Sequence, residues 1–356
     1  MISTGVMRAF GMDHPVFSAG MARVSQAPLV AAVSEAGGMG CLGGVSFMPG
    51  ALRAEIHAVR ARTRRPFAVN LLVAEPAGAA CWDRIRRAWN RLSPAQQAKL
   101  KGVEPLLTPG VIEEQIAVVL EERPAALVLT FGTPRTTVDA CHERGIKVMA
   151  MCGSVGRAVA AAQSGVDCLI AQGAEGGGHT GHVGTLVLVP AILDAVRLPV
   201  IAAGGIVDGR GLAAALCLGA EGAWCGTRFI ASEEAFGHEA YKRRILTAEI
   251  KDTTVTTAYT GKTLRTLCNA WTDQWGRRAA PAADFPEQYA VAAERVESGY
   301  QDGDLKEGMM PAGQGVGLIH DILPAAEIVR RMSQEAARLL QCPPIPPTRS
   351  ASRERD

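Results

Sequence analysis

The chain has 356 residues, 48% of them hydrophobic, and its 37 Lys and Arg nearly cancel its 35 Asp and Glu to leave a formal net charge of +2. That length and apolar content support a large core, as one large α/β domain or a domain with a smaller one inserted, and exclude general disorder. The balanced charge supplies no global field for nucleic acid or an anionic membrane, so small-molecule chemistry is the reading left to develop.

The N-terminal "MISTGVMRAFGMDHP" lacks the apolar core of a signal peptide, and later apolar stretches are broken by Pro, Asp or Glu before membrane-spanning length. Nine cysteines are scattered without C-x-x-C or zinc-ligand spacing, and Cys41, Cys168, Cys217 and Cys225 sit in apolar runs. Free thiols in a reducing cytoplasm are the expectation.

From Pro15 to Gly226 short apolar runs alternate with longer amphipathic ones, the pattern of repeated βα units. Strands are predicted at 15–20, 38–43, 67–72, 126–131, 147–152, 167–172, 199–204 and 222–226. Intervening runs such as "SVGRAVAAAQSG" and "DGRGLAAALCLG" start at Ser or Asp and end at Gly, as helix caps require. Eight strands with helical connections predict an α/β fold, a (β/α)8 TIM barrel over residues 1–233; an open doubly wound sheet also holds eight.

Two segments break the repeat. Within 77–110, "CWDRIRRAWNRL" puts Trp82, Ile85, Trp89 and Leu92 on one helical stripe, read as a helix across the barrel mouth in preference to a membrane-surface helix. Residues 234–311, with "TGKTLRTLCNAW" and "FPEQYAVAAERVESG", read as helices of a smaller subdomain on the substrate side. Residues 312–342 then return to the barrel as its last helix, and the Pro-rich, charged 343–356 reads as a disordered tail.

In such a barrel the active site forms at the C-terminal ends of the strands, and the loops after strands seven and eight commonly hold a phosphate. Gly204 and Gly205 follow predicted strand seven, and Gly226 and Thr227 follow strand eight. Gln172 closes strand six with an amide that both donates and accepts, as a heterocycle such as an isoalloxazine or a purine requires. The following "GAEGGGHTG" sheds side chains, which suits a flat ligand against bare backbone. Asn70, polar in the apolar run "FAVNLL", reads equally as a second ligand contact or as a core amide satisfied by backbone. His179, just after the glycines, is the candidate acid or base.

Other chemistries find less support. Glu175, His179 and His182 lack the spacing and third ligand of a metal site. "GMGCLGG" contains G-x-G-x-x-G (Gly38, Gly40, Gly43) but follows a helix and is itself a strand, which excludes a Rossmann fingerprint. No G-x-S-x-G elbow or Walker A loop is present.

The stretches "HPVFSAGMARVSQAPLVAAVSEAGGMGCLGG", "RPFAVNLLV", "LTFGTP", "AQGAEGGGHTG", "PVIAAGGIVDGRGLAAALCLGAEGAWCGTRF" and "AGQGVGLI" follow in order through most of residues 14–320. In these the chain resembles the nitronate monooxygenase family, and through it flavin-dependent enoyl-acyl-carrier-protein reductases and NADH:quinone reductases. The first strand departs from the family's "QAPM"-like pattern, reading "SAGMAR".

The resemblance implies FMN as cofactor. Met21, Ala22, Asn70, Gln172 and the Gly177 and Gly178 backbone would line the flavin; Gly204, Gly205, Gly226 and Thr227 would hold its phosphate; His179 matches the catalytic histidine. It further implies oxidation of a nitronate by FMN and oxygen to a carbonyl compound and nitrite. The alternative is reduction of an enoyl thioester or quinone with NADH or NADPH. A non-redox FMN-binding protein is a remote third reading, and a homodimer stays open.

Overall fold

The computed structural model describes residues 2–73, 109–285 and 287–341, with residues 87, 90, 93 and 94 from the segment between. The expected helix around Trp82 to Leu92 and the C-terminal tail lie outside the described residues.

Eight parallel strands form the barrel: β1 (Val16–Ser18), β2 (Gly40–Leu42), β3 (Phe67–Leu72), β4 (Ala126–Thr130), β5 (Lys147–Cys152), β6 (Cys168–Gln172), β8 (Val200–Ala203) and β9 (Ala223–Cys225). They pair in the order β1-β9-β8-β6-β5-β4-β3-β2. A parallel bridge between Phe17 and Met39 joins the ends, with Ser18 N donating to Met39 O and Met39 N to Val16 O, each at 3.0 Å. Closure rather than an open sheet is therefore the outcome, and it leaves no unpaired barrel edge.

Because side chains alternate across a strand, the barrel has two cores. Phe17, Met39, Cys41, Ala68, Val128, Met149, Ile170, Ile201 and Trp224 fill the interior, joined from below by Val6, Met7 and Phe10 of the helix Gly5–Phe10. Val69, Leu71, Leu127, Leu129 and Leu169 face outward to the helices. Asn70 stands two residues beyond Ala68, and Gln172 two beyond Ile170, so both share the inward face at its upper rim. Ser154 and Asp208 cap the helices Val155–Gln163 and Gly209–Cys217 as their positions predict. The helix Ala325–Gln341 lies against Gly209–Cys217, where Gly209 N donates to Glu335 Oε2 at 2.8 Å.

The segment after β9 differs in part from its reading. It contains the helices Glu239–Thr247, Ala270–Gly276 and Glu287–Gln301, but "TGKTLRTLCNAW" is not one helix: it holds the strand β11 (Leu264–Leu267) before its helix starts at Ala270. The β-branched "TTVT" upstream forms β10 (Thr253–Thr256), which pairs antiparallel with β11 from Thr253 opposite Leu267 to Thr256 opposite Leu264. Cross-strand pairing thus outweighs the helical spacing of the apolar residues. The hairpin adds β7 (Gly178–His179) on its other side, with Leu264 opposite His179. No helix among the described residues is long and apolar enough to cross a membrane.

Candidate active site

At the C-terminal ends of the strands lies a cavity of about 300 Å³. Met21, Ala22, Asn70, Gln172, Gly177, Gly178, His179, Gly204, Gly205, Gly226 and Thr227 all line it, although they come from five different strands, β1, β3, β6, β8 and β9, or from the segments that follow them.

At the β8 and β9 end, Gly204 and Gly205 adopt φ of +105° and +73°, a left-handed turn that L side chains rarely enter. Among the described residues, no protein group accepts from the backbone N–H groups of Gly204, Gly205 or Gly226. Unpartnered amides converging on a cavity are the donor set an anionic oxygen requires, and they fit the phosphate of the expected FMN. Thr227 is committed differently: its Oγ1 accepts from Gly313 N at 2.9 Å and ties the β9 loop to the 312–315 segment.

Asn70 is an amide anchored within the barrel that also borders the cavity. Its side-chain nitrogen donates to Val128 O at 3.0 Å and Thr130 Oγ1 at 2.9 Å across to β4, which leaves its carbonyl oxygen at the cavity wall. Gln172 donates to the backbone carbonyl of His179 at 2.9 Å, so part of its amide is spent on the loop. Gly177 has a packing reason of its own. A Cβ there would stand 2.7 Å from the Ala312 carbonyl carbon and the Gly313 nitrogen, so the glycine admits another stretch of chain.

His179 lines the cavity with its surface open to it, and the surrounding chain desolvates the ring. Burial lowers its pKa to about 4, and the Lys262 ammonium acts in the same direction. The imidazole is therefore neutral near pH 7 and able to accept a proton. Its Nε2 lies 3.0 Å from Thr260 Oγ1, and the Phe131 ring meets it edge-on at 5.5 Å between centroids. Phe131 holds φ of +75°, a strained backbone for an aromatic residue, beside the candidate base. Lys262 sits over the Phe131 ring, 4.3 Å from its centroid.

The family model for nitronate monooxygenase matches residues 4–335. The chain belongs to the nitronate monooxygenase family. It is 35% identical over 350 residues to the nitronate monooxygenase of Paraburkholderia phytofirmans, covering 93% of this chain and 94% of that protein. Among solved structures it is similar to FabK from Thermotoga maritima, with a TM-score of 0.79 at 33% identity, covering 96% of this chain and 98% of that one. It is also similar to the nitroalkane oxidase from Streptomyces ansochromogenes, with a TM-score of 0.79 at 28% identity, covering 94% and 98%. As a member of the nitronate monooxygenase family the chain is an oxidoreductase.

Several cavity residues escape the sequence reading. Arg23, Phe131, Thr260, Tyr289 and Tyr300 complete the wall of this family member's cavity. Arg23 donates through Nε to Glu297 Oε2 at 2.6 Å and pairs with the same carboxylate through its Nη2. Arg23 directly follows the quoted Met21 and Ala22, which is the only local signal. Thr260, Tyr289 and Tyr300 reach the site through folding of a remote segment, and no spacing in the chain announces them.

Proposed function

We propose that the cavity binds FMN and that the protein oxidises alkyl nitronates with molecular oxygen, giving carbonyl compounds and nitrite. Bound FMN supplies the electron acceptor. The Gly204, Gly205 and Gly226 amides hold its phosphate, Asn70 offers a carbonyl oxygen to its ring, and the remaining polar atoms of Gln172 face the same ligand. His179 binds the nitro group or, for a neutral nitroalkane, takes the proton next to it.

The observation that carries this reading is the place of His179 in the cavity wall, where desolvation keeps the imidazole uncharged at neutral pH, so it brings no extra proton to donate and presents an open ring nitrogen to a bound substrate. A second reading, an NADH- or NADPH-dependent reductase of enoyl thioesters or quinones, draws its support from the likeness to FabK over the whole chain. There His179 would act as the proton donor.

An anaerobic visible spectrum of the purified protein separates them. Flavin reduction by an added alkyl nitronate, with little response to NADH or NADPH, is the expected result. Rapid bleaching by a nicotinamide and silence toward nitronate would move the protein to the reductase reading. Colour without reduction by any donor would leave a non-redox flavin binder.

A further inference from the structure

The hydrogen bonding around Thr260 assigns this residue, on the hairpin turn between β10 and β11, a task at His179. Its Oγ1 lies 3.0 Å from His179 Nε2, 3.2 Å from Lys262 N and 3.2 Å from Lys262 O. The backbone N–H of Lys262 donates to this oxygen. The hydroxyl has one proton to give, and two acceptors are in reach: Lys262 O or His179 Nε2.

If the proton goes to Lys262 O, the oxygen has a second lone pair for His179 Nε2–H, and the hydroxyl, Nε2 and Lys262 O each have a partner. If it goes to Nε2, Lys262 O loses this donor, and Nδ1 already carries the imidazole proton. Among the described residues Nδ1 has no protein partner. We infer that Thr260 is a positioning residue that keeps the Nε2–H tautomer of His179 and leaves the Nδ1 lone pair for the substrate.

The inference rests on the proposed reaction only for its consequence. When a neutral nitroalkane is the substrate, its C–H bond next to the nitro group breaks and the electron pair stays behind as the nitronate. The proton forms the Nδ1–H bond. Nε2–H remains donated to Thr260, so the imidazolium that results loses no partner. A preformed nitronate skips this step.

The test uses histidine-labelled holoenzyme and long-range 1H–15N correlation spectra, with His179 assigned by the loss of its signals in His179→Gln. Wild type and Thr260→Ser should show the Nε2–H form, while Thr260→Val and Thr260→Ala show a tautomer mixture. Turnover of neutral nitroethane should fall roughly 10- to 100-fold more than turnover of preformed ethylnitronate in Thr260→Val, with rescue by Ser. An Nδ1–H tautomer in the wild type, or a tautomer unchanged in both Val and Ala variants, overturns the inference. A tautomer that responds as expected in an enzyme inactive on both nitro compounds supports the positioning role and removes the proposed reaction instead.

Discussion

Gln172, the last residue of β6, donates its side-chain N–H to the backbone carbonyl of His179 at 2.9 Å and so fastens the far end of the glycine loop that follows it. A side chain expected to serve a ligand therefore serves the loop that carries His179. Gln172→Leu should lower turnover about tenfold and stability by about 1 kcal/mol, the net worth of one such hydrogen bond. Amide exchange at residues 177–180 should quicken in the same variant; unchanged exchange would show that the bond does not hold the loop.

His179 sets a pH dependence of determinate sign. Its imidazole titrates near 6.5 when unfolded and near 4 when folded, so between those values the unfolded chain binds more protons. Stability should fall as pH drops from 7 toward 4, and His179→Gln should remove part of that slope in denaturation measured at pH 7 and 5. Lys262→Met takes away the smaller of the two causes and should move the imidazole pKa upward without restoring 6.5.

Loss of the base itself is the sharper test of mechanism. His179→Ala should retain flavin yet lose roughly 100- to 10,000-fold in turnover of a neutral nitroalkane, the usual worth of a positioned base. Full activity in a variant with normal flavin content would remove His179 from the reaction.

The two glycines after β8 should respond differently. At Gly204 a Cβ would lie 2.7 Å from Thr185 Oγ1 and 3.0 Å from Gly173 O, with φ of +105°, so Gly204→Ala should destabilise the fold by about 2–3 kcal/mol. At Gly205 the nearest atom is Glu175 Cβ at 3.4 Å, an ordinary contact, and the strain of φ +73° costs about 1–2 kcal/mol. Gly205→Val should fold and lose flavin; complete flavin occupancy in the purified variant would refute the phosphate assignment.

Glu175 holds the loop from another side. Its carboxylate accepts from Thr185 N at 3.0 and 2.9 Å and from Thr185 Oγ1 at 2.9 Å, which caps the helix Thr185–Ala195 in place of its own N-cap residue, Gly184. Glu175→Ala should cost about 1–2 kcal/mol in denaturant unfolding, and Glu175→Gln less, since an amide oxygen still accepts.

The barrel was legible in the chain because its signals are local. A strand buried on both faces reads as a short apolar run, and a helix that must cap its own ends shows Ser154 or Asp208 at its start. Asn70 and Gln172 stood out by the same logic, as polar residues in apolar strands at positions that alternation turns inward. The glycines after β8 and β9 were legible too, since a barrel confines ligand chemistry to the C-terminal strand ends.

What surrounds His179 was decided elsewhere. The stretch "TGKTLRTLCNAW" reads as a helix where β11 forms, because the partner that turns "LRTL" into a strand is "TTVT", several residues away, and β7 beyond it. Thr260, Lys262 and the Phe131 ring meet the imidazole only once that sheet assembles. Closure of the sheet into a barrel came from the Phe17–Met39 bridge, while the sequence alone determined the eight strands, the rim positions and the choice of His179 as the candidate base. Tertiary structure decided its protonation and its hydrogen-bond partner, since both depend on distances between groups about 50 to 80 residues apart in the chain, and no local pattern encodes such distances.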